Sequence, residues 1–469
     1  MRMTRRFILA AICCLIGISL FVSAAHASDP SIRLSERNTR VTIQHGLTDA
    51  ILAEAKEAVG DGAGVRFTLQ RMSAEDIAKV CEAFPAMSGL DIERPEDLTS
   101  IPFVAKLTNL TRLEMSAPVA DLSPLSNLTG LNILDVRGVL APDLKWMSNL
   151  TNLTTLIVMG VRGDVPTLVS LEGIPSAPNL TRASFLYGAL ADLTPLLALS
   201  GVTRLNLEQN IIADLTPLAG LPAMEELILS QTTVTDFSPL AGAPALKTLD
   251  ARIVREADFS TLGKLTRLET LEVGATYVRN QDVFRLKDIS WISGMTGLKN
   301  LQVDFDTVAD FSPLRTLPQL ERLRIWRMQS PVDLNQLSGI TSLKRLTLQD
   351  NNAGTSGFGA LASLVNLEEL TLIEMTEDNS STVDMAFIAF LENLKKLTIS
   401  SSEITGGFDA IANCVNLEEV VIRNPTGTVN FAALMTLPNL RSVTVPPDTF
   451  TEEQVAAFAS PNVRISQSR

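Results

Sequence analysis

The chain has 469 residues, a formal net charge of −13, and only 5% aromatic residues beside 46% hydrophobic ones. The composition predicts an aliphatic core, and the negative charge argues against a nucleic-acid partner, which requires a basic surface. The length would allow two or three ordinary domains, although the length of a repeat protein, which grows along one axis, does not predict its number of domains.

The N-terminal residues have the pattern of a secretory signal. Three arginines lie within the first six residues, and an uncharged, mostly apolar run follows over residues 7–25. The small-x-small triplet Ala25-His26-Ala27 predicts a signal peptide over residues 1–27 that is cut after Ala27. The expected location is therefore periplasmic or secreted, with no membrane span after cleavage. Because the apolar run is long for a signal peptide, an uncleaved anchor is the alternative.

Two amphipathic helices are predicted before the main repeat. One begins at Thr48 and ends near Val59, inside an N-terminal cap region assigned to residues 28–63. The second opens at Ser73 and runs to about Phe84. Such caps are expected because the terminal unit of a repeat protein has one uncovered face.

A unit of the form L-x-x-L-x-L recurs along the rest of the chain. It is clearest in residues 110–115, 153–158, 367–372 and 394–399, and its steps are mostly 21 to 24 residues. About 18 units result, with an irregular first one at Val41 and Ile43. The closing L-x-L alternates with period two, so each unit predicts a short strand that pairs in parallel with its neighbours.

The second half of the unit carries an aspartate ten residues before the next leading leucine. Because a carboxylate can accept from backbone N–H groups two or three residues on, and proline suits a first turn, this aspartate predicts a cap on a short helix. The ten positions are Asp121, Asp143, Asp192, Asp214, Asp236, Asp258, Asp288, Asp310, Asp333 and Asp384.

The repeat resembles the leucine-rich repeat family, in the 22-residue class of bacterial internalins. The segment 205–218 fits the class pattern L-x-L-x-x-N-x-I-x-D-[LI]-x-P-L at every fixed position. The resemblance implies an α/β solenoid, a right-handed superhelix or horseshoe. Its parallel β-sheet would lie on the concave side, with short 3₁₀ or α segments on the convex side. The chain departs from the family in its internal asparagine ladder, since only Asn210 and Asn351 occupy that position.

The solenoid is assigned to residues 64–446, and residues 447–469 are predicted to hold a capping helix and the last strand. The capping-box pattern from Thr451 to Gln454 supports that helix. Cys81 and Cys414 fall on core positions, so both are expected to be buried. Three longer units, starting at Leu153, Leu268 and Leu367, are expected to carry loops, which are either recognition elements or neutral insertions.

No pattern for catalysis, metal binding or a cofactor emerges. After signal cleavage His45 is the one remaining histidine, and no nucleophile elbow, phosphate loop or C-x-x-C pair occurs. The acidic groups at residues 304–310 and 377–380 lack calcium-loop spacing and are interpreted as solvated turns. The chain is therefore expected to be no enzyme.

The function predicted is binding of a protein, or of a cell-wall polymer or glycan, through the concave face. The alternative is an architectural, adhesin-like envelope scaffold that acts by self-association. The preferred contact residues are Arg322, Arg324, Trp326, Arg327 and Arg345, because tryptophan and arginine are enriched at interface hot spots. An apolar patch is the second candidate, consisting of Ile157, Met159, Leu186 and Tyr187.

Two further columns of charge are predicted on the exposed face of the sheet. Asp91, Glu114 and Asp135 line up over three units, and Asp250, Glu272, Asp304 and Asp306 precede the arginines. For the preferred contact residues (the Arg–Trp cluster), the alternative is that Trp326 packs under a loop while the arginines pair with these neighbouring acids.

Overall fold

The structure, a computed structural model, describes residues 29–35, 37, 39–161, 163, 167–253, 256–275, 286–304, 307–328, 330–350, 354–373, 382–400, 402–427, 429–460 and 462–467. The predicted signal peptide, Asp306, Asn351 and the group 377–380 lie outside these residues. The contacts divide the chain into two compact units, residues 1–139 and residues 140–469. This division falls within the stretch assigned to the solenoid, and the repeat pattern gave no signal for it.

Unit 1 contains two α-helices and a row of short strands. The helices are α1 (Asp49–Val59) and α2 (Ala74–Ala83). The strands are β1 (Ser31–Leu34), β2 (Arg40–Gln44), β3 (Arg66–Gln70), β4 (Gly89–Glu93), β5 (Arg112–Ser116) and β6 (Ile133–Val139). Strand β1 pairs antiparallel with β2, and every later neighbour in this unit pairs in parallel. The irregular first unit at Val41 and Ile43 is thus confirmed as a parallel strand.

Both predicted helices begin where the sequence placed them. The Thr48 side chain accepts from the Ile51 backbone N–H, and Ser73 accepts from that of Asp76. Two 3₁₀ turns, Pro102–Lys106 and Ser123–Asn127, follow in this unit.

Unit 2 repeats the same strand and turn many times. Its strands are β7 (Thr155–Gly160), β8 (Arg182–Leu186), β9 (Arg204–Asn206), β10 (Glu226–Ile228), β11 (Thr248–Ile253), β12 (Thr270–Ala275), β13 (Asn300–Asp304), β14 (Arg322–Trp326), β15 (Val332–Asp333), β16 (Arg345–Gln349), β17 (Thr355–Ser356), β18 (Glu369–Ile373), β19 (Thr382–Asp384), β20 (Lys396–Ser400), β21 (Glu403–Gly406), β22 (Glu419–Arg423), β23 (Thr426–Gly427), β24 (Ser442–Val445) and β25 (Arg464–Gln467). The return segments are 3₁₀ turns at Lys145–Met147, Thr194–Ala198, Thr216–Gly220, Ser238–Gly242, Phe259–Lys264, Ser290–Gly294, Ser312–Thr316, Leu334–Leu337, Phe358–Ser363, Met385–Phe390, Phe408–Asn413 and Phe431–Thr436.

One continuous parallel sheet runs through unit 2. From β8 to β14 each strand pairs with its predecessor, and the series continues through β16, β18, β20, β22, β24 and β25. The leucines of successive L-x-L motifs lie opposite each other, as Leu205, Leu227 and Leu249 do, and all three are fully buried. A slip of one residue would turn this apolar row to the outer face, so the register is fixed by burial.

The short strands β15, β17, β19, β21 and β23 pair among themselves in two small parallel sets on the return side. At the C-terminal end, helix α3 (Glu452–Ala456) carries the predicted capping box between Thr451 and Gln454. The described residues contain no helix that is both long and apolar enough to cross a membrane.

All ten aspartates accept a backbone hydrogen bond at the start of a 3₁₀ turn, as the sequence predicted. Asp258, Asp333 and Asp384 are the N-cap residues themselves, and the other seven stand one residue before the N-cap. In each, a carboxylate oxygen accepts from the backbone N–H two residues on, at 2.7 to 3.1 Å. Each bond satisfies an amide that the tight 3₁₀ turn leaves without a backbone partner. In these ten units one side chain therefore stabilises the start of the turn.

Backbone groups under the bends find several kinds of partner. The Asn210 Nδ2 donates to the Phe185 and Leu207 carbonyls, at 2.8 and 2.9 Å, as the family pattern implies. Elsewhere the Thr232 hydroxyl donates to the Leu229 carbonyl at 2.6 Å. A second set of asparagines stands just before the leading leucine of a unit. The side-chain amide of each donates to a backbone carbonyl of the preceding unit; the four are Asn366, Asn393, Asn416 and Asn439.

The two cysteines are free and buried, as predicted. Burial raises the pKa of both thiols, to about 12 for Cys414. The Cys414 Sγ donates to the Ile388 carbonyl at 3.2 Å. Both residues therefore behave as small core hydrophobes.

Candidate functional site

Strand β14 places three of the preferred contact residues on one face. Leu323 and Ile325 are buried, so Arg322, Arg324 and Trp326 project from the opposite, outward face of the sheet. In the pairing with β16, Arg322 lies opposite Arg345, and Trp326 lies opposite Gln349. Arg327 follows directly, with a left-handed backbone (φ 56°) that ends the strand. The structure thus brings together all five residues of the Arg–Trp cluster (Arg322, Arg324, Trp326, Arg327 and Arg345).

The Trp326 indole is held by charged side chains. The guanidinium carbons of Arg324 and Arg327 lie 4.4 and 4.2 Å from the ring centroid, which is cation–π distance. The Nε1 atom donates to the Asp350 carboxylate at 2.7 Å, and Arg327 Nε lies 3.6 Å from the same oxygen. The ring stays half-buried on the outward face, with its orientation fixed by three neighbours.

Sequence reasoning did not single out Asp350, although a signal was present. Trp326 pairs with Gln349, so the next positions, Arg327 and Asp350, are equivalent in consecutive repeats. Opposite charges at equivalent positions of adjacent units would have indicated the pair.

The arginines of the cluster differ in how their charges are compensated. Arg327 pairs with Asp350, and Arg345 Nε lies 2.9 Å from Glu369. Arg324 donates to the amide oxygens of Gln302 and Gln349, at 3.5 and 3.1 Å. Over the described part of the chain, neither Arg322 nor Arg324 has a carboxylate ion-pair partner. The alternative that all the arginines pair with neighbouring acids therefore applies to Arg327 and Arg345 only.

A groove of about 410 Å³ crosses the outward face at this point. It is bounded by Glu272 on β12 and Glu369 on β18, and Arg322, Arg324 and Arg345 lie between them. We call it the arginine groove. It spans five adjacent strands, about 19 Å at ~4.8 Å per strand. An extended peptide of about six residues has that length.

A second pocket, of about 470 Å³, lies on the other side of Trp326. It is lined by Trp326, Arg327, Asp304, Asp250 and Arg252, among others. The Arg252 guanidinium contacts the Asp250 carboxylate at 2.5 Å and also lies 3.0 Å from Glu272. One arginine is thus shared by two acids.

Asp304 is the unusual member of this pocket. It is 4% exposed, and its Oδ1 has no hydrogen-bond partner among the described residues. Burial raises the pKa of its carboxyl to about 7, and the guanidiniums of Arg252, Arg327 and Arg324 offset only part of that rise.

The prediction that the acidic columns are exposed is wrong for the aspartates. Asp91, Asp135, Asp250 and Asp304 are all less than 8% exposed. Their side chains are short, and longer neighbours on the same face cover them. Arg66 lies over Asp91 in this way, and Trp326 lies opposite Asp304.

The apolar patch is also assembled, on strands β7 and β8. Met159 lies opposite Leu186 in the strand pairing, and Ile157 lies opposite Ser184. Tyr187 follows β8 with a positive φ of 56°. All four predicted residues are half-buried, so the patch offers less apolar surface than the sequence suggested.

Within the described residues, no group of three or more His, Cys, Asp or Glu side chains could hold a metal ion. His45 lies between β2 and α1 in unit 1 and has a left-handed backbone (φ 61°).

No protein-family model and no curated protein matches this sequence. Among solved structures, an internalin (inlF) of Listeria monocytogenes is similar at 23% identity over 76% of this chain and 85% of its own, with a TM-score of 0.46. A chain of the Drosophila Toll–Spatzle complex covers 95% of this chain and 63% of its own at 15% identity, with a TM-score of 0.51. A chain of the mouse RP105/MD-1 complex covers 77% of this chain and 71% of its own at 16% identity, with a TM-score of 0.50.

The chain has the leucine-rich repeat fold, which confirms the fold class predicted from the L-x-x-L-x-L unit. At such identities the likeness establishes architecture, and a binding role has to be argued from this chain's own side chains.

Proposed function

We propose that the protein binds another protein through the outward face of the sheet in unit 2, with the Arg–Trp cluster at the centre of the contact. The observation that carries this proposal is the Trp326 indole. It is presented on the outward face and fixed there by Arg324, Arg327 and Asp350. A pre-oriented aromatic ring loses little conformational entropy on binding, which is the property of interface hot spots.

The surroundings of Trp326 support the same role. The arginine groove lies on one side of the indole and the Asp304 pocket on the other, so charged side chains surround an aromatic centre. A central anchor within a polar rim is the usual anatomy of a protein interface. We take the chain to be a binding protein and not an enzyme, as its sequence predicted.

We also propose that the protein is exported. The arginines, the apolar run and the Ala25-His26-Ala27 triplet support a signal peptide over residues 1–27. Periplasmic or secreted partners are therefore the ones to test. N-terminal sequencing of the purified protein checks this, and a chain that begins at Ser28 is the expected result.

The binding proposal is tested by affinity capture from envelope and culture fractions of the source organism. The tagged protein is compared with Trp326→Ala and with the matched variant Trp291→Ala, whose indole caps a 3₁₀ turn by donating to the Asp288 carbonyl. We expect a partner that is captured by the unaltered protein and by Trp291→Ala and is lost with Trp326→Ala.

Two other outcomes would contradict the assignment in different ways. A partner that all three proteins retain would move the site away from Trp326, and Met159→Ser would then test the apolar patch. Absence of any partner, together with self-association on a sizing column, would favour the architectural scaffold.

A further inference from the structure

The arginine groove contains two arginines that form no direct ion pair with a carboxylate of the described residues. Arg322 and Arg324 project from the same face of β14, two residues apart, which places them about 7 Å from each other along the strand. Three glutamates around them each contact another cation. The pairs are Glu321 with Lys344 at 2.9 Å, Glu369 with Arg345 at 2.9 Å, and Glu272 with Arg252 at 3.0 Å.

The Arg324 side chain is also incompletely satisfied. Its Nε is buried and has no hydrogen-bond partner among the described residues, while its terminal nitrogens reach only the neutral amides of Gln302 and Gln349. Hydrogen bonds from a guanidinium to an anion are about twice as strong as those to a neutral acceptor. An incoming anion would therefore make bonds that the glutamines cannot replace.

We propose that the arginine groove binds an extended acidic segment of the partner protein, with a carboxylate side chain seated against Arg322 and Arg324. This inference rests on the proposed function and specifies its ligand chemistry. The groove has the length of about six extended residues, so it accommodates a stretch of peptide and not just one side chain.

The flanking acids favour a carboxylate over a phosphate group. Glu272 and Glu369 bound the two ends of the groove, and Glu272 shares its one arginine with Asp250. A phosphate monoester carries nearly two negative charges at neutral pH and is repelled more strongly by these acids than a singly charged carboxylate is.

The experiment uses fluorescein-labelled octaglutamate as the probe and measures its anisotropy on titration with the full chain. The test variant is Arg322→Gln with Arg324→Gln. The control is Arg182→Gln with Arg204→Gln, which removes two arginines from outward positions on β8 and β9 that both correspond to Arg322. Of these two, Arg204 forms an ion pair with Glu226 at 2.9 Å. We expect the test variant to weaken binding about tenfold or more, and the control variant to change it less than about twofold.

Three results would overturn the inference. One is failure of the unaltered protein to bind octaglutamate. A second is equal weakening by the two double variants, which would indicate diffuse attraction. The third is displacement of the probe by pyrophosphate at far lower concentration than by succinate, which would assign the groove to a phosphate-bearing ligand.

The capture experiment with Trp326→Ala separates this inference from the proposed function. A partner lost with Trp326→Ala while octaglutamate fails to bind would leave the binding site in place and reject the acidic segment. Arginine-dependent binding of octaglutamate without any captured protein would reject the proposed function instead. Unfolding midpoints of both double variants within about 2 °C of the unaltered protein would show that the losses are local.

Discussion

Asp91 in unit 1 and Asp304 in unit 2 are both buried aspartates on a repeat strand, although Asp91 stands between the two buried strand residues and Asp304 directly after them. Each projects from the outward face of a parallel strand, is less than 5% exposed, and lies among arginines. Their partners differ. The Oδ1 atom of each lacks a hydrogen-bond partner within the described residues. Asp91 Oδ2, however, lies 2.5 Å from Arg66 Nε and accepts from the Thr68 hydroxyl at 3.1 Å, whereas none of the described arginines forms an ion pair with Asp304.

The difference shows that the cost of burying a carboxylate in this protein depends on whether an arginine contacts it directly. Direct contact with a guanidinium compensates the cost of removing Asp91 from water. At Asp304 the neighbouring arginines are occupied elsewhere. Arg324 and Arg327 contact the Trp326 ring, and Arg252 holds Asp250. The arrangement that presents the indole thus leaves one carboxyl without a close partner, which is the kind of local cost that functional surfaces carry.

The largest expected effect is that of Asp304→Asn on stability at alkaline pH. The pKa of Asp304 is about 7 in the folded chain, and its ordinary value is 3.8. Between these values the folded state keeps a proton that the unfolded chain has lost, so the free energy of unfolding falls as the pH rises from about 4 to about 7. Asparagine cannot titrate. The difference in free energy of unfolding between the variant and the unaltered protein should therefore move in the variant's favour by up to about 4 kcal/mol between pH 4 and pH 8.

Urea unfolding followed by circular dichroism at pH 4 and pH 8 measures this gain. The exposed Asp448→Asn serves as control and should change the free energy of unfolding by less than about 0.5 kcal/mol at either pH. A pH-independent difference between Asp304→Asn and the unaltered protein would mean that Asp304 is ionised throughout.

The matched substitution Asp91→Asn should act in the opposite direction. It removes the charge that Arg66 contacts and leaves that guanidinium without its closest partner, so at pH 8 we expect a loss of about 2 to 3 kcal/mol. The same urea series measures it, with Thr68→Val expected to cost about 1 kcal/mol as the loss of one hydrogen bond. If both Asp→Asn substitutions changed the free energy of unfolding at pH 8 in the same direction, the contrast between the two sites would be refuted.

The fold could be predicted from the sequence because its two determinants recur along the chain. The L-x-L alternation fixes which side chains are buried, and in ten units an aspartate accepts from the backbone at the start of the turn. The preferred contact residues chosen from these motifs include Arg322 and Arg345, which the strand pairing places opposite each other.

The contacts of each charged side chain could not be predicted in the same way. Whether an arginine pairs, stacks on an indole or stays without a carboxylate depends on side-chain rotamers across several strands. Arg324 and Arg345 show this, since they project from neighbouring strands and only Arg345 reaches an acid. The burial of Asp304 was missed for the same reason, because it is set by Trp326 on the next strand and not by the repeat position.

The smallest of these effects belongs to the exposed caps, of which Asp236 is an example. Its carboxylate accepts from the Ser238 backbone N–H at 2.7 Å and from the Ser238 hydroxyl at 2.8 Å, and both bonds lower the pKa of Asp236. Asp236→Ala should cost about 1 kcal/mol at pH 7, and Asp236→Asn, which keeps an acceptor, only a few tenths. The folded-state pKa is the lower one, so this contribution is present above the ordinary pKa of 3.8 and is lost as the pH falls through the folded value. Thermal unfolding at pH 7 and pH 3 measures both parts. A loss as large as that of Asp91→Asn would mean that hydrogen bonding to the turn, and not burial among arginines, controls how much an aspartate contributes in this protein.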